Sequence, residues 1–329
     1  MSAARIARGP WFEELTRSQA FTGAPAVTVT AGLAAAHQAI VGNRLALSLD
    51  HRLAARVTGA GPIAAPGLVW DLAIGQSTVA TQNVRANLFY RGLVFSRLPR
   101  LGDTLSTVVT VEGLRQNRRR EDRAPTGLVA LRISTVDQED RPVLDFWRCA
   151  MIPLGDPHVE TGHSDDLDVI GSAATPEALA APVAGWQLDQ PPPGSTLTDG
   201  DVGAEWEVLG GDVVSSAPEL ARLTLNLASA HHDSRAGGGR RLVYGGHTIG
   251  LALSQITRAL PQLLTVVGWH SCDHLGPVFE GDTLRSRIVL EQLQPVAGGG
   301  RLVHLRSSVV AGGEQPRPVL DWRLVAFCP

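Results

Sequence analysis

The chain has 329 residues, 44% of them hydrophobic, and a formal net charge of −3. That is enough apolar material for one large core or two ordinary ones, and it supplies no basic field that would draw the whole surface onto nucleic acid. No run approaches the roughly 20 apolar residues that span a bilayer, and the first ten residues lack the apolar stretch of a secretion signal. A cytoplasmic protein with neither nucleic-acid nor membrane partners is expected.

In chain order, an amphipathic segment at 11–21 opens with Trp11, Phe12, Glu13 and Glu14. Residues 27–41 are Ala-rich and helical in pattern as far as Gly42 and Asn43. Prolines between 62 and 66 break the chain, and 66–75 reads as a short apolar helix. Four runs rich in Val, Thr, Ile and Leu follow at 84–94, 104–114, 127–136 and 143–152, with turns between them, as in an antiparallel sheet. The arginines from 115 to 123 stand beside Glu121 and Asp122 and read as a solvated hairpin tip.

From 155 to 200 the composition shifts to Pro, Ala, Gly, Asp and Ser, with three prolines at 191–193. This predicts a linker between an N-terminal unit at 1–154 and a C-terminal unit at 201–329. The second unit repeats the order of the first. Ala204-Glu205-Trp206-Glu207 answers Trp11-Phe12-Glu13-Glu14. A helix is expected from Ser216, where Ser216 and Glu219 have the form of a capping box, running through Leu220, Leu223 and Leu227. A second helix is expected at 247–264, with strands at 265–272, 283–293, 301–310 and 319–327. Two local matches recur in the same order: Leu101-Gly102-Asp103-Thr104-Leu105 with Glu280-Gly281-Asp282-Thr283-Leu284, and Pro142-Val143-Leu144-Asp145 with Pro318-Val319-Leu320-Asp321. Repeats of this length indicate a duplicated domain rather than a solenoid.

Chemistry concentrates between residues 226 and 247. Asn226, His231, His232 and Asp233 stand where the first helix ends. After a Gly-rich turn, Gly245 and Gly246 open the next helix, whose first N–H groups have no intrahelical partner and favour negative charge. An oxygen gaining charge would be stabilised there, and His231 is suited to moving a proton. Asn226 and His231 are five residues apart, so they face one space only if the helix ends between them. His247 either caps and packs or contacts a substrate. Arg240 and Arg241 are either a surface pair or a site for phosphates. His274 and Asp282 read as structural. The three cysteines give neither a disulfide framework nor zinc spacing, and adjacent histidines at 231 and 232 suit a metal poorly, so no metal and no cofactor is expected.

One long helix against a bent antiparallel sheet, twice, resembles the double hotdog fold, an α+β architecture. Pro277-Val278-Phe279-Glu280-Gly281-Asp282-Thr283-Leu284 resembles the Pro-Val-x-x-Gly-Asp-Thr-Leu signature of the MaoC-like acyl-CoA dehydratases. The segment from Gly239 to His247 (Gly-Arg-Arg-Leu-Val-Tyr-Gly-Gly-His) is similar to that of the mesaconyl-CoA hydratases, also called β-methylmalyl-CoA dehydratases. The resemblance implies reversible addition of water to a 2-enoyl-CoA, with an acyl-CoA thioester as the partner molecule. It implies Asn226, His231 and Gly246 as catalytic residues, and Arg240, Arg241, Tyr244, Gly245 and His247 as substrate contacts.

The sequence departs from the usual Asp-x-Asn-Pro-x-His pattern of (R)-specific hydratases. Asn226 takes the Asp place, Ala228 the Asn place and Ser229 the Pro place, while His231 matches. A neutral amide cannot accept a proton as a carboxylate does. His231 is therefore expected to carry the acid–base work, with His232 and Asp233 as substitutes for the missing carboxylate. The first unit has no such cluster and is expected to be catalytically degenerate, supplying a wall of the acyl tunnel. A non-catalytic acyl-CoA-binding protein and a hotdog thioesterase are the alternatives. A homodimer is weighed beside a monomer, because two hotdogs in one chain already imitate a pair.

Overall fold

The computed structural model describes residues 6–189, 196–236, 238–313 and 315–329. Its strands are β1 (Ala20–Phe21), β2 (Val27–Thr28), β3 (Ala86–Phe95), β4 (Thr104–Gln116), β5 (Thr126–Val136), β6 (Pro142–Pro153), β7 (Glu205–Glu207), β8 (Asp212–Val213), β9 (Thr265–His274), β10 (Thr283–Pro295), β11 (Arg301–Ala311) and β12 (Arg317–Cys328). Its helices are α1 (Ala31–Val41), α2 (Ala46–Leu49), α3 (His51–Thr58), α4 (Pro66–Ser77), α5 (Pro176–Ala180), α6 (Ala217–Leu223) and α7 (Gly245–Ala259). The strands form one sheet in the order β1-β4-β5-β6-β3-β9-β12-β11-β10-β7, with β2 on β4 and β8 on β10.

The sheet is continuous through the antiparallel pair β3–β9, which joins the two halves. Every residue of α4 is buried, as is α7 from Gly246 to Thr257. Helices this apolar are stable only inside a core. The duplication is visible in hydrogen bonds as well as topology. Gln76 on α4 donates to the Leu105 carbonyl (3.1 Å), and Gln255 on α7 donates to the Leu284 carbonyl (3.0 Å). Asp103 and Asp282 each accept the N–H three residues back in equivalent turns, at Gly102 (φ 101°) and Gly281 (φ 87°). This is the double hotdog architecture, with each central helix wrapped by half of the sheet.

All eight long strands lie where the Val, Thr, Ile and Leu-rich runs placed them, and the Arg-rich run is the exposed β4–β5 hairpin tip. Several other expectations are corrected. The segment at 11–21 is only a single 3-10 turn followed by the short edge strand β1. Its counterpart is not 204–207 but 198–201, where Thr198 and Asp201 repeat the backbone-to-acid bond of Trp11 and Glu14. The register shows the same shift: β1 pairs Ala20 with Thr110, and β7 pairs Glu205 with Val289. Two aromatic-acidic clusters in similar places gave a false alignment.

The capping box at Ser216 does not form. Ser216 is left-handed (φ 59°), its side chain makes no cap bond, and Glu280 from a distant loop accepts the Ala217 N–H instead. The helix stops at Leu223, short of Leu227. The helix expected at 247–264 begins at Gly245 and ends at Ala259, because Leu260 precedes Pro261 and is forced out of the helical region.

The segment at 155–200 is not a free tether where it is described. Leu167 and Ile170 cover Phe89, Leu128, Ala130 and Cys149, and Trp186 packs edge-on against Phe327 (5.7 Å). The prolines at 191–193 lie outside the described residues.

Candidate active site

A cavity of about 570 Å³ opens where the two halves meet. Its walls come from both: Ile74, Thr78, Asn87, Tyr90 and Arg148 from the first, and Asn226, His231, Tyr244, Gly245, Thr248 and His274 from the second. The Pro277-Val278-Phe279 turn lines it as well.

The helix does end between Asn226 and His231. After α6 the chain reverses through Leu225, which is left-handed (φ 60°), and His231 closes a 3-10 turn beginning at Ser229. Two bonds anchor this segment to the first half: Leu227 N–H to Thr78 Oγ1 (2.8 Å) and Ser229 N–H to the Gln82 carbonyl (3.0 Å). Asn226 is buried, and its side-chain oxygen accepts the Ala228 N–H at 2.9 Å.

His231 Nδ1 lies 2.8 Å from the Leu242 carbonyl. A carbonyl can only accept, so Nδ1 carries the proton and Nε2 keeps its lone pair. Burial pushes the imidazole down to about 4, although the Leu242 carbonyl opposes this. The ring is therefore neutral near pH 7, in the form that accepts a proton. His232 is spent otherwise: its Nε2–H donates to the Asn226 carbonyl at 2.6 Å. Asp233 is paired with Arg235 at 2.9 Å, and neither Asp233 nor His232 lines the cavity.

Gly245 and Gly246 open α7 with Tyr244 as N-cap. A Cβ on Gly245 would stand 2.5 Å from His274 Nε2, and one on Gly246 would stand 2.1 Å from Asp71 Oδ1. Both positions are glycine because side chains press on the helix start from two directions. Gly245 lines the cavity; Gly246 lies one residue deeper, against Asp71.

Three of the expected substrate contacts are placed elsewhere. His247 is fully buried, does not line the cavity, and neither ring nitrogen has a hydrogen-bond partner. At the third position of the helix it turns into the core, and burial pushes its imidazole down to about 4. Arg240 and Arg241 also lie outside the cavity wall. Arg240 stacks its guanidinium over Phe279, 3.8 Å from the ring centroid, and Arg241 pairs with Glu280 at 2.7 Å. Arg240 thus sits at the cavity rim, on a ring that lines it.

The structure adds residues that the sequence did not single out. Asp71 on α4 is wholly buried and sits 2.9 Å from His37 Nε2, and Tyr244 donates its hydroxyl to Asp71 at 3.1 Å. Burial pushes the Asp71 carboxyl up, while His37 and Tyr244 pull it down. Arg148 on β6 is 3% exposed. Its Nη2 donates to the Thr81 hydroxyl (2.6 Å) and the Ser77 carbonyl (3.4 Å), and its Nε has no partner. No single-residue signal marked these groups; an isolated Asp in an apolar helix was the one available hint. The three cysteines are buried and free, and burial raises each thiol, so none is a ready nucleophile.

A cavity between two wrapped helices, with the neutral imidazoles of His231 and His274 beside a glycine-opened helix start, defines a double-hotdog protein with the equipment of a hydro-lyase. No protein-family model matches the chain. It is 30% identical over 325 residues to β-methylmalyl-CoA dehydratase of Chloroflexus aurantiacus, covering 95% of this chain and 91% of that protein. Among solved structures, a conserved hypothetical protein from Mycobacterium tuberculosis with a double hotdog fold is 54% identical (TM-score 0.91; 97% and 98% of the two chains). A putative MaoC domain dehydratase from Chloroflexus aurantiacus is 26% identical (TM-score 0.85; 99% of each chain). The chain belongs to the MaoC-like acyl-CoA dehydratase family.

Proposed function

We propose that the protein catalyses reversible hydration of a short-chain 2-enoyl-CoA, mesaconyl-CoA being the first candidate, in this one cavity. The observation that carries the reading is the fixed tautomer of His231: Nδ1–H is held by Leu242, which leaves Nε2 free to act as the base. In the hydration direction His231 Nε2 takes a proton from water, and the oxygen bonds to C3. The C2=C3 π electrons move toward the thioester, whose oxygen becomes an enolate. The unpaired N–H at the start of α7, at Gly245 in the cavity wall, stabilises that charge. The proton held by His231 then goes to C2, so water is added and no group is left over. Asn226, which cannot ionise, orients the water or the substrate.

The relative in Chloroflexus is named for dehydrating β-methylmalyl-CoA, which is this reaction run in reverse. The 1–154 half contributes cavity wall and no proton carrier of its own. The test is incubation with mesaconyl-CoA and crotonyl-CoA while following the absorbance of the conjugated thioester. Loss of that absorbance, and its return from the hydroxyacyl side, is expected. Folded protein that leaves both thioesters unchanged would overturn the proposal. Asn226 in place of a carboxylate favours one second reading, an acyl-CoA-binding protein without turnover. Tight calorimetric binding with no conversion would identify it.

A further inference from the structure

Arg148 poses a problem that the hydration reaction alone does not solve. Water addition to a simple enoyl thioester needs a base and donors for an oxyanion. It does not need a buried guanidinium set into the cavity wall by the other half of the chain. Arg148 is nonetheless in that wall, 3% exposed, and no acidic side chain pairs with it among the described residues. Its partners are neutral: the Thr81 hydroxyl and the Ser77 carbonyl share one terminal nitrogen, and Nε is buried without a partner. Several other arginines of the sheet and its turns are treated differently. Arg97, Arg132, Arg306 and Arg317 each have a carboxylate.

A buried cation without a counter-ion is costly, and proteins pair such charges or remove them. The acid nearest in purpose, Asp71, is committed to His37 and Tyr244. No Asp or Glu lines the cavity, and its one other charged lining residue, Arg85, is exposed. Tyr90 lines it and is buried, and burial raises its hydroxyl, so it remains a donor. The missing negative charge has to arrive with the ligand. With Nη2 given to Thr81 and Ser77 and Nε buried, Nη1 is the end left to meet a ligand, and a carboxylate can accept a charge-assisted bond from it.

We propose that Arg148 is the specificity residue of the cavity and holds the second carboxylate of a mesaconyl-CoA-like acyl group. This rests on the hydratase reading for the identity of the cavity. It adds which acyl end is recognised, and by which half of the chain: the half without the proton carrier selects the substrate.

The test is calorimetric binding of two unreactive thioesters of similar size, succinyl-CoA, which ends in a carboxylate, and butyryl-CoA, which ends in a methyl group. Neither can be hydrated, so the result is independent of whether turnover occurs. Unmodified protein should bind succinyl-CoA at least 10-fold more tightly. Arg148→Met should abolish that preference, and Arg148→Lys, which keeps the charge on a similar stem, should retain part of it. Equal affinity of the unmodified protein for the two thioesters overturns the proposal without any variant. So does a preference that survives Arg148→Met. If Arg148→Met instead weakens both thioesters and free CoA alike, the guanidinium holds a CoA phosphate, and the acyl assignment is wrong. Where hydration is observed, the ratio of kcat/KM for fumaryl-CoA over crotonyl-CoA should fall by a factor of 30 or more in Arg148→Met.

Discussion

Tyr244 of the second half donates its hydroxyl to Asp71 of the first, 3.1 Å away across 173 residues of sequence. The same Tyr244 caps the helix that opens with Gly245 and Gly246, and its ring lies 5.8 Å from that of His231. His231, the helix start and a buried carboxylate are thus set against one another through a single aromatic side chain. A shift of the two halves would move all three.

Tyr244→Phe keeps the ring and removes the bond. Asp71 Oδ1 is then left buried without its donor, which costs about 1–3 kcal/mol. Chemical denaturation should show that loss. Because the helix start would also be free to move, the hydration rate should fall more than KM changes. An unchanged denaturation midpoint would mean that this bond contributes nothing.

His231→Ala should lower kcat/KM for hydration by about 10²-fold or more if the imidazole carries the proton. The pH profile gives an independent check. With the folded value pushed down to about 4, the base is already neutral at pH 6. The rate should stay flat from pH 8 to about 5 and fall only below that, as the ring gains a proton. An inflection near 6.5, the ordinary histidine value, would contradict the buried geometry.

Acid should destabilise the fold unusually early. His231, His247, His274 and His304 are each pushed by burial from 6.5 down to about 4. The unfolded chain therefore binds more protons than the native one between those values. The stability conferred by the neutral rings is complete above pH 6.5 and is lost as pH falls toward 4. Calorimetric Tm should drop between pH 7 and 5. Carboxylates such as Glu14, lowered from 4.5 to about 2, act mostly below that window. His247→Leu, which replaces a ring with two unpartnered buried nitrogens, should flatten the dependence; an undiminished slope would assign the effect to the other histidines.

The contact between central helix and active-site loop should tolerate no added atom. A Cβ on Gly75 would stand 1.7 Å from the backbone oxygen of Thr224, two residues before Asn226. Backbone cannot rotate aside, so Gly75→Ala should cost about 3 kcal/mol or more, at the upper end of overpacking effects. Gly23→Ala, with nothing within 4 Å, is the control and should stay within about 0.5 kcal/mol of the parent. Similar midpoints for the two variants would show that the helices can separate freely.

The sequence by itself determined the duplicated sheet and the double hotdog class, and it singled out the stretch proposed to carry the chemistry. Alternation along 104–114 and 283–293, Gly-Asp turns at 102–103 and 281–282, and the glycine pair before α7 are local patterns, set by backbone sterics and by side-chain period. Placement of buried polar groups was not legible, because it depends on what the other half brings. His247 read equally as a packing residue or a substrate contact, and it points into the core. Arg148 and Asp71 sit in runs that read only as strand and apolar helix; Arg148 lines a cavity that both halves wall, and Asp71 is bonded to Tyr244 of the other half. A capping box was expected at Ser216, yet Glu280, 63 residues on from Ala217, does the capping. Only tertiary structure decides such matters, because a buried charge or donor takes whichever partner the packed halves bring within about 3 Å, and no spacing along the chain records that distance.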